Sequence, residues 1–60
     1  MIFDTEVSPK KLERLCESWS RQEIKEGLEY FSARAKEDSF HYRQVRVLIE
    51  ELETRNSLGS

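Results

Sequence analysis

Residues 24–52 read IKEGLEYFSARAKEDSFHYRQVRVLIEEL, and the reading of this stretch decides the fold. Apolar positions recur at Ile24, Leu28, Phe31, Ala35, Tyr42, Val45, Ile49 and Leu52, and Asp38 fills the one missing place. The steps alternate between four and three residues, the heptad pattern of a helix with one apolar seam. Unbroken, the pattern predicts a long helix over 21–55 of about 50 Å, at 1.5 Å per residue. The alternative is a break at 36–39, Lys36-Glu37-Asp38-Ser39, where Asp38 or Ser39 caps a new helix. That break gives two comparable helices in a hairpin. No glycine or proline marks a turn there, and the heptad phase runs straight through. The long helix is therefore the leading expectation, with Asp38 either a polar residue that sets register within the seam or a flaw that the assembly tolerates.

Upstream of this stretch, Ser20-Arg21-Gln22-Glu23 is a capping box, in which Ser20 and Glu23 each satisfy a free backbone N–H. Trp19 and Ile24 fall at the staple positions around it. A further start lies at Ser8, with Pro9 at the first helical position and Val7 and Leu12 as the staple. Leu12, Leu15, Cys16 and Trp19 form a stripe out of phase with the one that begins at Ile24. A short helix over 9–18 is thus expected to turn at the capping box. Residues 1–7 read as an N-terminal arm and residues 56–60 as a frayed tail, with 1–60 a single small helical domain. The fold class is all-α: a short helix and a long one, folding back and dimerising into a four-helix assembly.

Sixty residues make one domain at most, and a domain of this size buries only about 60% of its unfolded surface. Cys16 is the single cysteine, which excludes an internal disulfide. One cysteine and one histidine exclude a structural zinc site built from those ligands. A partner chain is the remaining support, so a homo-oligomer is expected, with the seam Ile24, Leu28, Phe31, Ala35, Asp38, Tyr42, Val45, Ile49 and Leu52 as its interface. Charged residues make up 37% of the chain and the net charge is −2, which disfavours generic binding to nucleic acid. Arg34, Lys36, Arg43 and Arg46 around Phe40 and Tyr42 keep a nucleic-acid module as a rival reading. No apolar run reaches the roughly 20 residues of a membrane span. The start Met1-Ile2-Phe3-Asp4 does not read as a signal peptide, and a free thiol fits the cytoplasm.

The residue types argue for binding rather than catalysis. The chain has one histidine, no glycine-rich elbow and no phosphate-binding glycine loop, so no catalytic residue, metal ligand or cofactor site is assigned. Cys16 sits on the apolar stripe of the short helix and reads as a packed thiol. Phe40 and Val47 lie seven residues apart on the side opposite the seam, with His41 and Leu48 beside them. These four are the candidates for docking another protein.

Ser20-Arg21-Gln22-Glu23, Glu26, Leu28 and Tyr42-Arg43, with Glu6-Val7-Ser8 at the start, resemble the NblA family, the small phycobilisome-degradation proteins. That resemblance implies a homodimeric, non-enzymatic adaptor for proteolysis, binding a pigment-protein with one part and a protease chaperone with another. Leu48-Ile49-Glu50, with Arg55 and Ser57-Leu58-Gly59, is similar to Sda, a helical-hairpin inhibitor of sporulation kinases. The functional expectation is a small adaptor or regulator acting by protein–protein contact. A helical-hairpin inhibitor of a signalling enzyme is the alternative.

Overall fold

A computed structural model describes residues 3–58 of the chain. Met1, Ile2, Gly59 and Ser60 lie outside the described residues, and with them the ends of the expected arm and tail. The described residues form three helices: α1 (Pro9–Cys16), α2 (Arg21–Ala35) and α3 (Phe40–Leu58). No helix among them is long and apolar enough to cross a membrane.

Both helix starts read from the sequence are present. The Ser8 hydroxyl accepts from the Lys11 N–H at 3.2 Å, with Pro9 at the first helical position. Ser20 and Glu23 close the capping box: the Glu23 N–H donates to Ser20 Oγ at 3.2 Å, and the Ser20 N–H donates to Glu23 Oε1 at 2.9 Å. α1 stops at Cys16, two residues short of the expected end. Its last turn closes through the Ser18 and Trp19 N–H groups, which donate to Leu15 O and Cys16 O.

The unbroken helix over 21–55 is not what the chain forms. α2 ends at Ala35, and α3 begins at Phe40. The Glu37 and Asp38 N–H groups both donate to Arg34 O, which closes α2. The Asp38 carboxylate then accepts from the Phe40 N–H at 3.0 Å and opens α3. A short polar side chain here offers the backbone a partner outside the helical ladder. Packing supplies the larger drive. A straight helix would leave its seam in water, whereas α3 runs back along α2 and buries Ile24, Phe31 and Leu48 together. The longest dimension of the molecule is 35 Å, well short of the straight helix.

Folding back changes which side of α3 is inside. The expected line was Tyr42, Val45, Ile49 and Leu52. The buried residues are instead Gln44 and Leu48. Gly27 makes this close approach possible: a Cβ there would sit 3.1 Å from Leu48 Cδ1, 3.3 Å from Phe3 Cε1 and 3.4 Å from Trp19 Cζ3.

The arm is part of the fold. Val7 is buried, and Phe3 packs against Trp19, Tyr30 and Phe31 with ring centroids 5.5, 5.3 and 6.0 Å away. The expected tail is also partly helical, since α3 continues to Leu58.

Candidate protein-docking surfaces

α1 and the arm cover only one side of the α2–α3 pair. Two polar anchors hold them there. The first is Gln44, fully buried on α3. Its Nε2 donates to Thr5 O at 3.1 Å and to Val7 O at 2.7 Å. Its Oε1 lies 2.6 Å from His41 Nδ1. Because the Gln44 nitrogen is spent on carbonyls, its oxygen is the acceptor and His41 Nδ1 the donor. The second anchor is Arg55. Its Nη2 donates to Cys16 O at 3.0 Å and to Glu17 O at 3.2 Å, and its Nε pairs with Glu51 at 3.0 Å. A guanidinium on the last carbonyls of α1 favours that end of the helix dipole.

Side chains on α3 that face away from these anchors stay exposed. The seam residues divide into three groups: buried, half-buried and exposed. Ile24, Phe31 and Ala35 are in the intrachain core. Leu28, Val45 and Leu52 are half-buried, while Asp38 is exposed in the link. Tyr42 is 61% exposed and Ile49 42%. These two residues flank an open groove of about 420 Å³, lined also by Arg43, Val45 and Arg46.

The docking candidates divide as well. Phe40 is 39% exposed, while Val47 and His41 are half-buried. Leu48, placed beside them from sequence, is fully buried against Gly27 and does not reach the surface. Leu58, at 82% exposure, lies along the Phe40–Val47 line and was not read from sequence. Val47 and Ile49 point about 200° apart on an ideal helix, so α3 carries two separate apolar flanks.

The residues that carry reactive chemistry have structural roles. Burial, assisted by nearby Glu51, pushes the Cys16 thiol up to about 11. That thiol donates to Glu13 O at 3.4 Å. His41 is bonded to Gln44 and stacks edge-on to Phe40, with centroids 5.5 Å apart. Of the basic residues near Phe40 and Tyr42, Arg34 lies 4.6 Å over the Tyr30 ring and Arg46 pairs with Glu50. No group of His, Cys, Asp and Glu among the described residues is arranged to hold a metal ion.

Sequence reasoning missed Gln44, Arg55 and Phe3. A polar residue gives no apolar signal, and the arm's partners lie far along the chain. Gln44 falls four residues before Leu48, the helical spacing that would have placed it on a buried face. Compared with known proteins, the chain matches no family model, no curated protein and no solved structure.

Proposed function

We propose that this chain is a non-enzymatic, cytoplasmic regulator that acts by binding proteins: a second copy of itself and a target. The observation that carries this reading is the state of α3, which keeps apolar side chains exposed on both sides of its buried line. Tyr42 and Ile49 lie on one flank, Phe40 and Leu58 on the other. Exposed apolar surface of this kind marks interaction sites on small domains. The packed thiol supports binding over catalysis, because it is enclosed rather than presented to a substrate.

The Phe40–Val47–Leu58 flank is assigned to the target. A photo-crosslinking residue at Val47, in an extract of the source organism, is expected to capture a discrete protein. The same residue at exposed Lys25 is expected to capture none. Phe40→Ser with Leu58→Ser should remove the adduct while helicity is retained. An adduct that survives both substitutions would contradict the assignment. If the target is delivered to a protease, as the NblA resemblance implies, its half-life should fall when the chain is expressed.

Inhibition of a signalling enzyme is a second reading. It is favoured by the break at 36–39, which gives two helices of 15 and 19 residues. Of the residues similar to Sda, Leu48, Ile49, Glu50, Arg55, Ser57 and Leu58 lie on the second of these. Adding the protein to autophosphorylation reactions of a sporulation-type histidine kinase tests it; full activity at saturating protein would sink the idea.

A further inference from the structure

The two flanks of α3 differ in the charge that borders them. Beside the Tyr42–Ile49 flank, Arg43 and Arg46 lie toward the N-terminus of α3, and Glu50 and Glu53 toward its C-terminus. All four are exposed. We propose that this flank takes a second copy of the chain, with the two α3 helices antiparallel. The proposal rests on the protein-binding reading above and specifies how the second copy sits.

Charge decides the direction. Parallel helices would carry the charged rows of the two copies on opposite edges of the contact, where they do not meet. Antiparallel helices set Arg43 and Arg46 of one copy beside Glu50 and Glu53 of the other. The apolar residues choose the same register. A two-fold axis midway between Val45 and Ile49 places Val45 opposite Ile49 of the other copy and Tyr42 opposite Leu52. The charged residues then fall within about one helical turn of their opposites, inside side-chain reach. The Arg46–Glu50 pair within one chain, 3.3 Å apart and with side chains 82% and 64% exposed, competes little for them.

The area required is modest. A standard interface takes about 800 Å² from each partner, and this chain exposes 4535 Å². Half-buried Leu28, Val45 and Leu52 form the floor of the contact, and Tyr42 and Ile49 its raised edge. Each copy keeps its Phe40–Val47–Leu58 flank turned outward, so the pair offers two equivalent target-binding edges.

Sedimentation equilibrium of the full chain over a concentration series tests the proposal. A species of twice 7.2 kDa is expected. Ile49→Glu should give the single-chain mass with unchanged helicity, and Tyr42→Lys provides the same test if the first variant unfolds. Arg43→Glu with Arg46→Glu should raise the dissociation constant about tenfold or more, because like charges then face each other. Spin labels at Asn56→Cys, in a Cys16→Ala background, report direction. Antiparallel helices hold the two labels beyond about 25 Å, whereas parallel ones hold them near 10 Å. A monomer at every concentration overturns the proposal while leaving the Val47 crosslink as an independent test of target binding. So does a dimer indifferent to Ile49→Glu, or a short label distance.

Discussion

Gln44 is the residue on which the arrangement of this small molecule turns. A buried carboxamide is costly unless every polar atom is bonded, and here each one is. Gln44→Leu keeps the volume but strands the Thr5 and Val7 carbonyls. The expected loss is about 1–3 kcal/mol in urea unfolding, with faster protease cleavage near Val7. Unchanged stability and cleavage would contradict the anchoring role. Cys16 offers a second test at this scale. With its thiol buried and its ionisation pushed up to about 11, a disulfide reagent at neutral pH should label the native chain slowly. Labelling should become fast in denaturant. Equal rates in both conditions would mean that the thiol is not enclosed.

At the scale of the elements, the two starts and the break have different physical origins. The capping box is local, so it was readable from four residues. Removing its hydroxyl with Ser20→Ala should cost about 1 kcal/mol in stability. The Glu23 carboxyl is held below its ordinary value, first by the Ser20 N–H and then by the Ser20 hydroxyl. A lowered folded-state value stabilises the fold above the ordinary glutamate range and ceases to as pH falls through the folded value. An acid titration of stability should therefore show a loss at low pH that shrinks in Glu23→Gln. An identical loss in both proteins would exclude Glu23 as a source. The break is less local. Asp38-Ser39 marks it only weakly, and the heptad phase that crosses it hides it. The choice was made by packing α2 on α3, which a window of sequence does not contain. The same cause rotated the inward side of α3 by about 100°: Tyr42 and Ile49 fit a heptad, but Leu48 meets Gly27 and Gln44 meets the arm.

For the whole molecule, α1 and the arm close the core from one side of the helix pair, while Tyr42 and Ile49 stay exposed on α3. The core of Leu12, Cys16, Ile24, Phe31 and Leu48 closes because α1 and the arm lie over it. The exposed apolar surface proposed for a partner is narrower than the full seam, because Ile24, Phe31 and Ala35 are buried within the chain while Tyr42 and Ile49 stay exposed. All of this depends on α3 running back along α2, and a distance between Lys25 and Glu50 tests that most directly. Both residues are exposed, and they lie opposite each other when Gly27 meets Leu48. Spin labels at Lys25→Cys and Glu50→Cys, in a Cys16→Ala background diluted with unlabelled chain, should lie within about 20 Å of each other for helices packed side by side. A separation near 38 Å, the length of an unbroken helix between them at 1.5 Å per residue, would contradict the fold and the surfaces built on it.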